Sequence, residues 1–119
     1  MSAVERARAL KGVRFRLHGR GDGLDCVGVI AAVFGADAPT GYALRGGDPE
    51  VAAALLDARF ARADALSAGD VVLMVTGPGQ LHLGVWTGEG LVHADAGLRR
   101  VVERPGVPPW PVLGMWRGN

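Results

Sequence analysis

The stretch VVLMVTGPGQLHLGVWTGEGLVHAD, residues 71–95, decides the fold. Its apolar residues recur with a period of two. In QLHLGVW (80–86), Leu81, Leu83 and Val85 share one face while His82, Gly84 and Trp86 share the other. TGPG and TGEG carry turn residues, so VVLMV (71–75), QLHLGVW and LVHAD (91–95) are expected as antiparallel strands. RRVVE (99–103) and VLGMWR (112–117), separated by the proline-rich RPGVPPWP, extend the sheet to about five strands.

Upstream of residue 70 the signals are helical. Ser2 and Glu5 have capping-box spacing, and Gly12 is a stop, which predicts a short helix over residues 3–10. Gly12, Gly19, Gly21 and Gly23 mark the following segment as loop. Asp25 can cap a helix from Cys26 to about Phe34, ended by Gly35. A strand competes for the short apolar run VGVIAAVF, but the Asp cap and the paired alanines favour the helix. Asp48-Pro49-Glu50 starts another, with Val51, Leu55, Leu56 and Phe60 at roughly helical spacing, so residues 49–61 are expected as an amphipathic helix. Helices first and strands afterwards mean an α+β fold, and the length fits one domain over residues 1–119.

A net charge of +1 over 119 residues argues against bulk nucleic-acid binding. The charge is uneven, however: Arg6, Arg8, Lys11, Arg14, Arg16 and Arg20 face one acid, Glu5, in the first twenty residues. That arm is either a solvated surface or a face for an anionic partner. No window has the apolar length of a membrane span. The charged start MSAVERARALKG has no signal-peptide core, so synthesis in the cytoplasm without an ordinary export signal is expected.

The chain holds a single cysteine, Cys26, at the expected first turn of a helix. Free backbone N–H groups and the helix dipole there favour a thiolate. Two histidines lie on the expected hairpin. With a four-residue loop, Trp86 to Glu89, Val85 pairs with Gly90 and His82 with His93, placing their Cβ atoms within about 5.5 Å. Thiol, imidazole and a second polar group form a nucleophile–base–orienter set, with the Cys26 amide as oxyanion donor. The rival is a zinc set of Cys26, His18, His82 and His93. Its histidine spacing matches neither a helical pair nor a knuckle and no CxxC is present, so the nucleophile reading outweighs it and no metal or cofactor is expected. Gly28 and Gly84 are read as close-packing positions between the cysteine helix and the histidine strand, and the three tryptophans as core or edge-covering residues.

Asp25-Cys26-Val27-Gly28, Gly69-Asp70 before the first long strand, His82-Leu83-Gly84-Val85 and Val92-His93-Ala94 together resemble the NlpC/P60 family of papain-like cysteine peptidases, over roughly residues 12–117. Val27 stands where many members have serine, Val13 where proline is usual, and Phe15 lacks a tyrosine hydroxyl. The resemblance implies a papain-like fold with Cys26 as nucleophile, His82 as base and His93 as third catalytic residue. It places Asp25, Phe15 and His18 as candidates for substrate binding or the oxyanion site. The implied activity is hydrolysis of peptidoglycan stem peptides, typically between D-glutamate and diaminopimelate, an anionic substrate that would give the basic arm a use. Arg16-Leu17-His18 and the closing PPWPVLGMW are most similar to members from phage tails and gene-transfer-agent particles, which implies tail-like structural partners and delivery to the periplasm or cell wall. Another amidase or acyltransferase chemistry on the same fold, and a catalytically silent tail or wall-binding module, remain the alternatives.

Overall fold

The computed structural model describes residues 1–19, 23–35 and 47–118. The glycine-rich turn at residues 20–22, with Arg20 of the basic arm, lies outside them. Among the described residues three helices, α1 (Ala3–Ala9), α2 (Cys26–Phe34) and α3 (Pro49–Asp57), precede six strands. These are β1 (Ala61–Arg62), β2 (Val71–Gly77), β3 (Gln80–Trp86), β4 (Gly90–Asp95), β5 (Arg100–Pro105) and β6 (Val112–Arg117). They form one antiparallel sheet in the order β1-β6-β2-β3-β4-β5. The α+β architecture is thus the expected one, with a two-residue edge strand added.

The helix caps form as the sequence dictates. Ser2 Oγ accepts from the Glu5 amide, and Glu5 Oε1 accepts from the Ser2 amide, both at 3.1 Å. Asp25 caps α2 and Gly35 closes it in the left-handed region at φ +64°, so α2 is the helix and not the competing strand. The Arg6 side chain donates to the Val33 carbonyl at 2.6 Å and ties α1 to the end of α2.

The third helix is shorter than its apolar spacing predicts. It stops at Asp57, and Ala61 and Arg62 pair with Arg117 and Trp116 on β6 instead of continuing the helix. Leu56 is buried and Phe60 packs edge-on against Phe34, whereas Val51 and Leu55 are exposed. Asp57 fixes this corner: it accepts from the Trp116 indole at 2.9 Å and from Arg62 at 2.8 Å.

The sheet is covered on both faces. Val29, Ile30 and Val33 of α2 pack with Leu73, Val85, Val92 and the fully buried Trp116, joined by Leu81 and Leu83. Val72, Met74 and Leu91 collect Leu66, Trp86 and Trp110 into a second cluster. The alternation read from residues 80–86 is therefore real: odd positions face the helices, and His82, Gly84 and Trp86 face away.

The β3–β4 register differs from the expected one by two residues. Val85 pairs with Val92 and Trp86 with Leu91. The cause is a tighter turn: the Thr87 amide bonds the Gly90 carbonyl at 2.8 Å, leaving only Gly88 and Glu89 in the loop. Gly88, at φ +96°, takes the first central position, where type II′ hairpin turns place glycine. A slip of two preserves the face, so both histidines stay on the side the alternation assigns them.

Candidate active site

The ladder between β3 and β4 holds at only two residue pairs near the turn. Beyond them the two strands no longer pair with each other, though β3 runs back to Gln80 against β2 and β4 forward to Asp95 against β5. A cleft of about 290 Å³ occupies this region, at the lower end of the size usual for ligand sites. Its lining includes Cys26 of α2, His82 of β3 and His93 of β4, together with Phe15 and Trp110. The thiol therefore arrives from the helix side and the histidines from the other face, meeting where the sheet is open.

His82 Nε2 lies 2.8 Å from His93 Nδ1, and the rings stand almost perpendicular. They are not cross-strand partners, as the expected register would have them. They meet diagonally across the unpaired gap, within the reach of ring side chains. With Nε2 engaged by His93, the nitrogen of His82 left for a thiol is Nδ1. The tautomer that serves a base then carries hydrogen on Nε2, donates it to His93 Nδ1, and leaves the His93 proton on Nε2.

Trp110 closes the pair from above, with ring centroids 5.8 Å from His82 and 5.4 Å from His93. Arg104 lies over the indole, 5.7 Å from its centroid. Burial, reinforced by neighbouring His93 and opposed by the Asp95 carboxylate, pushes His82 down to about 4. His93 is lowered for the same first reason, with Asp95 opposing and Arg104 reinforcing the shift. Both rings are neutral bases at physiological pH.

Cys26 departs from the expectation of an activated thiol. Only 2% exposed, it is pushed up to about 12 by burial, with the backbone amides of Leu83, Val27 and Cys26 opposing and the Asp25 charge reinforcing. The missing solvation of a buried thiolate outweighs what the helix terminus supplies. Its sulfur lies against the Leu83 amide, next in chain to His82, and among the described residues it takes no hydrogen bond from either histidine. The unliganded cleft thus holds a neutral thiol and a neutral imidazole, and hydrogen bonds of this kind tighten when substrate binds.

Asp25 works from beneath. It has no exposed surface, and its oxygens accept from the amides of Gly28 and His18, both at 2.8 Å. One carboxylate therefore caps the cysteine helix and pins the preceding loop. His18 sits at φ +58° and is not among the residues lining the cleft. Phe15 does line it, held by a bridge to Leu24. Among the described residues no cluster of His, Cys, Asp or Glu has the form of a metal site, and no helix is long and apolar enough to cross a membrane.

Gly84 is a close-packing position, but toward β4 and not toward the cysteine helix. A Cβ there would lie 2.7 Å from Leu91 Cδ1 and 3.0 Å from the Val92 carbonyl. Asp95, Trp110 and Arg104 were not singled out for the site by sequence. Asp95 carried a signal, being two residues after His93 on a strand, whereas Trp110 sits in an aperiodic segment.

No protein-family model matches the chain, and no curated protein matches it. Solved structures do. An NlpC/P60 family protein from Bacillus cereus ATCC 10987 matches with a TM-score of 0.70 at 21% identity, covering 98% of this chain and 39% of that one. The P60 domain of antigen MAP1204 from M. avium subspecies paratuberculosis matches at 0.62 and 20% identity, covering 96% and 89%. The peptidoglycan hydrolase RipB from Mycobacterium tuberculosis matches at 0.61 and 23%, covering 97% of this chain and 64% of its own. The chain thus spans about two fifths of the first neighbour and under two thirds of RipB. The shared property is the fold, and it is the NlpC/P60 fold expected from the motifs.

Proposed function

We propose that this chain, built on the NlpC/P60 fold, is a cysteine hydrolase of that family acting on amide bonds in peptidoglycan stem peptides. Residues 1–119 act as one catalytic domain, with Cys26 as nucleophile, His82 as base and His93 as the residue that orients it. The observation carrying this reading is the 2.8 Å contact between His82 Nε2 and His93 Nδ1 in a cleft that Cys26 also lines. That contact commits one face of the base and leaves Nδ1 for the thiol.

In the first step the Cys26 Sγ proton passes to His82 Nδ1 as sulfur bonds to the substrate carbonyl carbon, and the π electrons move to oxygen. The Cys26 amide at the helix start, turned to the sulfur in the resting site, is the donor that stabilises that oxyanion. Collapse breaks the C–N bond, and the leaving amine takes the proton from His82. Water then attacks the thioester carbonyl, His82 takes its proton, and the acid product and free thiol are restored. Proton transfer and attack are concerted here, because neither the thiolate nor the imidazolium is stable alone in this cleft.

The stem-peptide substrate is supported by the fold shared with RipB, a peptidoglycan hydrolase; the basic N-terminal arm lends it no support, because Arg8 pairs with Glu89 and Glu103, Lys11 with Glu103, and Arg6 bonds the Val33 carbonyl. The finer parts of the proposal are cleavage between D-glutamate and diaminopimelate, and carriage by a phage-tail or gene-transfer-agent particle whose structural proteins are partners. Action in the periplasm or cell wall completes it. The bond rests on the likeness of the motifs around Cys26, His82 and His93 to the family's, and the particle and its destination on that of Arg16-Leu17-His18 and the PPWPVLGMW end. A second reading, a silent wall-binding module, is favoured by one observation: the deeply buried, protonated thiol.

Mass spectrometry of peptidoglycan fragments incubated with the wild type and with Cys26→Ala tests the proposal, with iodoacetamide labelling of wild type and His82→Ala beside it. New stem-peptide products from the wild type alone identify the hydrolase and the bond cut. Absent products with His82-dependent labelling point to another acyl substrate. Absent products with labelling indifferent to His82 establish the silent module.

A further inference from the structure

We propose that Asp95 is a positioning residue of this site, an acid that stabilises the His82–His93 pair when it takes up the thiol proton. The inference rests on the cysteine–histidine reading above. Strand alternation puts Asp95 on the face of His93, two residues away, and Asp95 lines the same cleft as both histidines. Among the described residues lining that cleft it is the only carboxylate.

Its side chain is anchored at one oxygen only. Oδ1 accepts from the Leu98 amide at 2.9 Å, which fixes the carboxylate on the turn leading into β5. Oδ2 takes no hydrogen bond among the described residues. A half-buried carboxylate with one oxygen unengaged brings a charge to the cleft it lines.

The chemistry needs such a charge. In the resting cleft the thiol is neutral and so are both rings. Transfer of the Sγ proton to His82 Nδ1 places a positive charge on a pair of buried imidazoles, which low dielectric resists. The groups facing the pair are Cys26 from α2, Asp95 from β4 and Arg104 from β5, with uncharged Trp110 in contact with Arg104 and with both rings. Arg104 opposes a charge on His93 and Asp95 favours a charge on either ring. Asp95 acts through the histidines and forms no bond to the reacting carbonyl.

Asp95→Asn in the full chain tests this, since the amide oxygen can still accept from Leu98. Asp95→Ser supplies a second variant with an acceptor at that position. Ring-nitrogen NMR titration is expected to show both histidines moving further to acid, because removing the carboxylate disfavours the imidazolium. Iodoacetamide labelling of Cys26 at neutral pH should slow, and peptide hydrolysis should fall about ten- to a hundredfold in kcat with KM unchanged. Histidine titrations identical to wild type in a folded variant overturn the proposal. So does a rise in KM with kcat unchanged, which would put Asp95 on the substrate. Titration and labelling need no substrate, so they decide the role of Asp95 even if the wild type cleaves no peptidoglycan.

Discussion

His82 Nε2 and His93 Nδ1 are 2.8 Å apart although β3 and β4 are not paired with each other at either residue. The side-chain bond, and not the backbone ladder, holds the two rings in register. In the proposed mechanism His93 accepts the His82 proton, and any side chain with an acceptor at that point can serve. His93→Asn is therefore expected to retain more activity than His93→Ala, with the alanine variant down by about 10²–10⁴-fold in kcat. Steady-state rates on a stem peptide for the two variants decide this; equal losses would show that His93 does something other than orient the base.

The pH dependence follows from burial. His82 must be neutral to accept a proton, and burial lowers it to about 4 from an ordinary 6.5. The acid limb of kcat/KM should accordingly lie well below pH 6.5, with full activity at pH 6. Trp110→Ala admits water to both rings, so it should move that limb upward toward 6.5. Stability shifts with the same sign. Between pH 6.5 and 4 the unfolded chain binds a proton that folded His82 refuses, so stability is fully present above pH 6.5 and declines as pH falls through that window. Urea titrations at several pH values measure it.

Gly84→Ala should destabilise the chain by about 1–3 kcal/mol. The new methyl would meet the buried Leu91 side chain, which yields only by displacing its neighbours, and the Val92 carbonyl, which belongs to the ladder. The strain falls at the paired end of β3 and β4, two residues from His82. Thermal denaturation reports the first effect and the peptide assay the second.

Asp25→Ala removes the acceptor of two amides at once, those of Gly28 and His18. A cost of about 1–3 kcal/mol for each buried donor left without a partner is expected. Asp25→Asn keeps one acceptor and should lie between the wild type and the alanine variant. Chemical denaturation of all three chains orders them.

Much of this could be read from local sequence. The Asp25 cap and Gly35 stop define α2 because capping is decided within four residues, and the period of two in residues 80–86 put His82 on its proper face. What escaped depends on contacts between distant segments. The end of α3 is set by the demand of β6 for a partner, so helical spacing through Phe60 overran it. The β3–β4 register turns on Thr87 bonding both ends of its own turn, a choice between loop lengths that apolar alternation cannot make. The depth of Cys26 is likewise a property of the packed fold. A helix start favours a thiolate only while water or a charge can reach it, and here burial reverses the sign.

The open ladder has one more consequence. A strand that closes a sheet consumes its amides; β3 at Leu83 does not, and that amide is turned to the Cys26 sulfur. A donor on the main chain cannot be deleted by changing a side chain. The part of the site that would steady a negative sulfur is therefore written into the topology, and the mutations able to silence it chemically fall on a few side chains: the thiol, the two imidazoles and the acid beside them.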